Sequence, residues 1–319
     1  MRHDKKRIRR RVAQVLISGL VTLAIIGVLV FVTQGRDVPV LNPHGTIAHQ
    51  EQVLILITVG LGVFVVVPVF ILLFVIAWRY RASNTKAKYE PDMHGRRGLE
   101  LLWWGIPCAI ILALAIITTI ATHVLDPYKP LQSNVTPVKV QVVAMQWKWL
   151  FIYPDYNIAT LNYVNIPKNT PIDFSITSDA PMNSFWVPAL AGQIYAMSGM
   201  STQLHVMADS VGTYNGVSAN ISGEGFADMH FKVYSMTEGD FTTWTKKASY
   251  SQNMLTSDAY NKIAAPSKND PETTYLLMDN TLYDDVIMKY MMPSDSNGSH
   301  SGTAEGTPNT TMDMSGMKM

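Results

Sequence analysis

The chain has 319 residues, 48% of them hydrophobic and 15% charged, with a formal net charge of +1 and a single cysteine. That length leaves room for one or two folded units, and the near-neutral balance offers no basic surface for nucleic acid. Cys108 lies inside an apolar run, so the chain can form no internal disulfide and has no lipid-attachment cysteine near residue 34.

In chain order, the first element is a basic leader holding Arg2, Lys5, Lys6, Arg7, Arg9, Arg10 and Arg11. The runs 12–32, 53–78 and 101–122 then contain no Asp, Glu, Lys or Arg, and each is long enough to cross a hydrocarbon core as a helix. A single such run could be a buried helix of a soluble protein; three in so short a stretch cannot. The first run, behind a basic leader, also has the form of a signal peptide. Its length and the lack of a small-x-small cleavage site before Gln34 favour an anchor that stays, in which case the chain crosses three times. The gap 33–52 holds only Arg36, whereas 79–100 holds Arg79, Arg81, Lys86, Lys88, Arg96 and Arg97. Basic, poor, basic reads as inside, outside, inside, so the third run delivers residues 123–319 to the outer face of a bacterial-type plasma membrane. From residue 123 onward there are 11 Lys and Arg against 18 Asp and Glu, so the outer part is acidic. Pro68 interrupts the second run and Gly105–Ile106–Pro107 the third; such breaks are tolerated where neighbouring membrane helices satisfy the freed carbonyls.

After a turn-rich linker at 122–137 come short runs of strand character: 138–144, 147–153, 159–166, 172–177, 184–187, 202–207, 212–219 and 229–235. Their spacing, with PKNTP, SDAP and ADSVG between them, predicts a β-sandwich or Greek-key barrel. Residues 237–247 open on a Thr-x-x-Asp cap and read as a helix, as do the amphipathic stretches 256–264 and 280–292. From Pro293 onward, Ser, Gly, Thr, Asn and Met cannot bury a core, which predicts disorder. The expected layout is therefore a leader and first span at 1–33, a helical hairpin at 34–122, a β domain at 123–236, a helical extension at 237–293 and a Met-rich tail at 294–319.

Four stretches taken together carry function: HGRRGLELLWWGIP (94–107), AMQWKWLFIYP (144–154), PMNSFWVPALAGQIYAMSGM (181–200) and GVSANISGEGFADM (216–229). In this order the chain resembles subunit II of the haem–copper respiratory oxidases from about Leu41 to Pro293. Within that family VLNPHG (40–45) and WRYRASNTKAKY (78–89) are similar to the quinol-oxidising, cytochrome bo-type branch. The resemblance implies a cupredoxin-like Greek-key barrel behind a membrane hairpin, with C-terminal helices. One departure is the lack of the lipid-modified Cys that such relatives often carry before the segment matching VLNPHG.

Cytochrome c oxidase members of the family carry a two-copper centre on this barrel, with ligands in the pattern H…C-x-E-x-C-x-x-x-H-x-x-M. Laid over residues 216–229, the thiolate positions fall on Ser218 and Ser222, the backbone-carbonyl position on Asn220 and the second His on Phe226. The upstream His becomes Asn183, and only Met229 survives. Two coppers sharing an electron need soft, anionic thiolates, and serine hydroxyls are hard and un-ionised at neutral pH. The expectation is no metal in this chain. The loop is then left to pack against the catalytic subunit, while haems and copper belong to partner subunit I, which takes electrons from membrane quinol. Further small membrane subunits are expected in the complex.

Glu100 stands at the inner end of the third run, where an ionisable group is either an interfacial anchor or part of a proton path. The matching residue of the family feeds protons into subunit I; the simpler reading is a carboxylate paired with Arg96 or Arg97. Trp147 and Trp149 lie on the electron route of copper-bearing relatives and, without copper, are read as packing residues at a subunit interface. His94, His123, His205 and His230 are read as structural or interfacial. Met312, Met314, Met317 and Met319, with His300 upstream, are soft donors suited to Cu(I), although a solvated tail is the simpler reading. The alternatives are a cytochrome c oxidase subunit II with its dinuclear copper, disfavoured by the missing ligands, and an anchored barrel that binds a partner or aids assembly. The broken spans and Glu100 weigh against the last of these.

Overall fold

The structure, a computed structural model, describes residues 38–82, 84–85, 95 and 97–291. The first apolar run, His94, Arg96 and the Met-rich tail with His300 lie outside the described residues. Among the described residues two long helices come first: α1 (Thr46–Arg79) with Pro68 inside, and α2 (Arg97–Val124) with Pro107 inside. Both have the length and composition to cross a membrane, and neither is covered by the rest of the chain over its apolar stretch. In a water-soluble fold that much bare apolar surface would aggregate; here it is a surface for lipid or for other membrane helices.

Twelve strands follow, in two sheets. The larger has the order β11-β12-β3-β2-β1-β5-β8 and the smaller β4-β10-β9-β6-β7. Their bounds are β1 Val138–Met145, β2 Lys148–Tyr153, β3 Ile158–Leu161, β4 Tyr163–Pro167, β5 Ile172–Ser178 and β6 Asn183–Trp186. The remainder are β7 Gln193–Ala196, β8 Thr202–Val206, β9 Gly212–Ser218, β10 His230–Met236, β11 Met254–Leu255 and β12 Thr273–Leu277. Between the sheets lies an aromatic core: Trp149 meets Phe185 edge-on at 5.4 Å, and Phe185 stacks on Phe231 at 5.0 Å. The run 159–166, expected as one strand, is two. Asn162 takes the left-handed conformation at φ 59°, which Asn tolerates, and the chain there leaves the larger sheet for the smaller.

The segment expected as a helical extension also builds sheet. Its helices are α3 (Glu238–Ala248), α4 (Ser257–Ala264) and α5 (Leu282–Met291), but β12 pairs antiparallel with β3 and β11 pairs parallel with β12. α4 and α5 then cover the outer face of the larger sheet, where Tyr260, Leu282 and Val286 join Val143, Leu150 and Ile152 in a second core. That second cover explains why VKVQVVAM and KWLFIY are apolar almost throughout: β1 and β2 are buried on both faces. One carboxylate pins the cover. Asp179, with its side chain 1% exposed, accepts from Tyr260 Oη, Lys289 Nζ and Tyr290 Oη, each at 2.7 Å. Burial first, and then the Asp179 charge, raise the pKa of the Tyr260 hydroxyl, which therefore stays a donor at neutral pH.

The start of α1 is bound to the β domain. His44 N–H donates to Ala189 O (2.7 Å), Ala48 N–H to Leu190 O (3.2 Å) and Asp209 N–H to His44 O (2.9 Å), while Thr46 Oγ1 donates to Asp209 (3.1 Å). Two of the amide groups in and just before the first helical turn thus find partners on the barrel. Gly45 passes between two strands of backbone: a Cβ there would stand 2.5 Å from Leu190 O and 2.9 Å from Met207 O. Gly45→Ala is expected to destabilise the folded chain by about 1–3 kcal/mol through overpacking. The check is a lowered thermal midpoint for the outer domain, with faster hydrogen exchange across 187–192.

Candidate functional site

The loop between β9 and β10 is the candidate site, and the positions singled out from the sequence do converge there. β6 and β9 pair antiparallel with Phe185 opposite Ser218, so Asn183 at the start of β6 lies beside the end of β9. Ser218 Oγ donates to Asn183 Oδ1 at 2.9 Å, and Asn183 Nδ2 donates to Pro181 O at 2.8 Å. Asn220 Nδ2 reaches across to Met182 O, also at 2.8 Å. Phe226 begins a short 3-10 turn to Asp228, its N–H donating to Gly223 O at 3.2 Å. Met229 is fully buried in the aromatic core, and its carbonyl accepts from Ser218 N–H at 3.2 Å. Ser222 keeps a buried hydroxyl with no partner.

These donors do not fit a dinuclear copper centre. Asn183, Ser218 and Asn220 offer hard oxygens and amides, the Ser218 hydroxyl is spent as a donor to Asn183, and Met229 alone supplies a soft atom. Among the described residues, no three His, Cys, Asp or Glu side chains lie close enough to share a metal. The loop is closed by amide and hydroxyl hydrogen bonds, each worth about 1 kcal/mol net.

Trp147 and Trp149, read together from the sequence, have different surroundings. Trp149 is fully buried between the sheets and keeps no surface for a partner subunit. Trp147 occupies the β1–β2 turn with φ 72°, a left-handed conformation rare for a bulky residue. Its indole packs beneath the loop: Nε1 donates to Ser222 O at 3.3 Å, and Lys268 Nζ stands 5.6 Å from the ring centre. Gly225 lies so close that a Cβ would overlap the ring, and one on Gly223, at φ 115°, would stand 3.5 Å from it.

Glu100 lies exposed in the first turn of α2, its carboxylate against the backbone of Gly95, where an added Cβ would fall 2.1 Å from Oε1. His123 bonds through Nδ1 to Thr119 O one turn back (2.8 Å), and His230 is exposed on β10. His205 is 8% exposed and bonds through Nδ1 to Asp173 Oδ1 at 2.6 Å. Sequence reasoning missed that pairing, and it missed Glu51. The signal for Glu51 was available: like Glu100, it is a carboxylate at the very end of an apolar run.

Against known families, residues 157–236 match the model described as cytochrome c oxidase subunit II, periplasmic domain, and residues 249–294 match the COX aromatic-rich motif. The chain is 42% identical to the cytochrome bo(3) ubiquinol oxidase subunit 2 of Pseudomonas aeruginosa, over 89% of this chain and 87% of that protein. It is 45% identical to the ubiquinol oxidase subunit 2 of Acetobacter aceti, over 80% of this chain and 84% of that one. With the quinol oxidase subunit 2 of Bacillus subtilis it shares 40% identity over 80% of both chains.

Gly225→Ala is expected to push the Trp147 ring aside and break its bond to Ser222, at a cost of about 1–3 kcal/mol. Hydrogen exchange should quicken across 219–229 while the protection of β1 and β5 stays unchanged.

Proposed function

We propose, from the premise that the chain belongs to the quinol oxidase subunit 2 family, that it is the membrane-anchored, non-redox subunit of a respiratory complex that oxidises membrane quinol, reduces oxygen to water and pumps protons. The observation that carries this reading is the loop closed on Asn183, Ser218 and Asn220, with Met229 the one soft donor among the positions matching the copper ligands. An electron arriving from a soluble cytochrome would find no acceptor there, so electrons pass from quinol directly to haem in subunit I. Haems and copper reside in that partner.

The chain's contribution is scaffolding. α1 and α2 present apolar faces to subunit I and its neighbours, and both run unbroken through an internal proline, Pro68 or Pro107, which suits helices packed against others. On the outer side Ile221, 82% exposed, stands beside the half-exposed Met182 and forms the natural contact of the β9–β10 loop with subunit I. With the first apolar run retained, the chain crosses the membrane three times, its N-terminus inside. Glu100, at the inner end of α2, passes protons to subunit I through its carboxylate; its exposed position in the first turn, just ahead of the uncharged run 101–122, supports that role.

In the assembled oxidase, Glu100→Gln should slow oxygen reduction about 10-fold or more at saturating quinol, with subunit I content and haem spectrum unchanged. Full turnover of that variant removes the proton role and leaves the scaffold reading in place. The scaffold reading itself is tested on the purified complex with quinol and soluble cytochrome c as rival donors. Quinol alone should sustain oxygen uptake, and rapid oxidation of the cytochrome would overturn it.

A further inference from the structure

Where the outer ends of α1 and α2 meet the β domain, the chain encloses a chamber of about 380 Å³. Glu51 of α1, Asp126 and Lys129 of the linker and His205 of β8 contribute its charged and titratable wall. A second hollow of about 330 Å³ lies between the two helices, lined by Val53, Leu54, Ile117 and Ile120, and it shares Gln50, Val124 and Leu125 with the chamber. The shared residues sit at a boundary set by the sequence: Gln50 and Glu51 precede the apolar run 53–78, and Val124 and Leu125 follow the run 101–122. A polar chamber thus adjoins an apolar groove at the outer water–hydrocarbon interface, the arrangement an amphiphile requires.

The wall carries both signs of charge. His205 is held by its bond through Nδ1 to Asp173 Oδ1 at 2.6 Å. The Glu51 carboxylate is drawn in against the backbone of Gly192, where an added Cβ would fall 2.6 Å from Oε1. Glu51 and Asp126 attract hydrogen-bond donors and positive charge, whereas Lys129 attracts an anion.

We propose that the chamber binds one phospholipid with a primary-amine headgroup. The ammonium donates to Glu51, the phosphate meets Lys129, and an acyl chain lies in the groove of Val53, Leu54, Ile117 and Ile120. A zwitterion satisfies both signs of charge. An anionic headgroup without an amine would set uncompensated negative charge beside two carboxylates, and a quinol, being uncharged, would bring no charge to meet either Glu51 or Lys129. The lipid ties the hairpin to the β domain, a role separate from electron or proton transfer.

The test uses the full chain within its oxidase complex and a phosphatidylethanolamine carrying a photoreactive group high on one acyl chain. Crosslinks should map to 46–54 and 117–132, and unlabelled phosphatidylethanolamine should displace the probe. Glu51→Gln should weaken labelling about 10-fold, the effect of losing one charge-assisted hydrogen bond. Equal displacement by phosphatidylglycerol would mean ordinary annular lipid and overturn the proposal. Equal displacement by a short-chain quinol would reassign the chamber to quinol, and labelling confined to other segments would also refute the lipid site. Competition on the unaltered protein decides the matter even if the Glu51 variant fails to assemble.

Discussion

The seam at Gly45 holds the membrane hairpin and the β domain in one arrangement. The chain passes there between the carbonyls of Leu190 and Met207 with no room for a side chain, and the amides of His44 and Ala48 are satisfied by the 189–190 turn. Helix α1 begins at the next residue, so its first turns are oriented by the barrel and not by the bilayer. Glu51 consequently lies under Gly192, and the outer end of α2 closes the chamber from the other side. A looser joint would leave the outer domain swinging on a tether, and a loop meant to contact a neighbouring subunit would have no fixed address.

The stability of the β domain lies in its two cores. The aromatic cluster of Trp149, Phe151, Phe185 and Phe231 fills the space between the sheets. On the outer face of the larger sheet, β12, α4 and α5 add a second core clamped through Asp179. Lys148, buried at 2% exposure, contributes a further tie: its ammonium donates to Ala265 O at 3.0 Å and pairs with Asp270 at 3.3 Å. Asn183, Ser218 and Asn220 close the β9–β10 loop with hydrogen bonds that hold its shape and carry no charge.

The second and third apolar runs and most strands were legible in the sequence because each rests on local signals: length of an apolar run and alternation. The misses share a different origin. One left-handed residue, Asn162, splits a run that reads as continuous, and nothing in the pattern of 159–166 marks the switch of sheet. β12 (Thr273–Leu277) is a strand because β3 offers it an edge, a pairing partner more than a hundred residues away in the chain. Gln193–Ala196 is too short to show a period and exists by pairing with β6. Asp179 and the Asp173–His205 pair look like ordinary loop and strand residues until tertiary contacts gather their partners. Trp149 and Trp147 sit two apart in an aromatic run, and only the turn between β1 and β2 sends one into the core and the other under the loop.

Trp147 bears on what the loop still does. A left-handed conformation at a tryptophan costs on the order of 1–3 kcal/mol, and a turn with no further duty would be relieved by Gly or Asn at that position. Asn stands at every other left-handed, non-glycine position among the described residues. At 147 the strain is instead offset by the indole packing on Gly225 and by its bond to Ser222 O, contacts that fix the loop's height above the barrel. On the proposed non-redox reading, the loop has no redox geometry to maintain. What remains to justify a rigid, strained support is the shape of its outer surface, where Ile221 and Met182 stand exposed. Recognition by a neighbouring subunit is the one demand that a fixed shape without chemistry can answer.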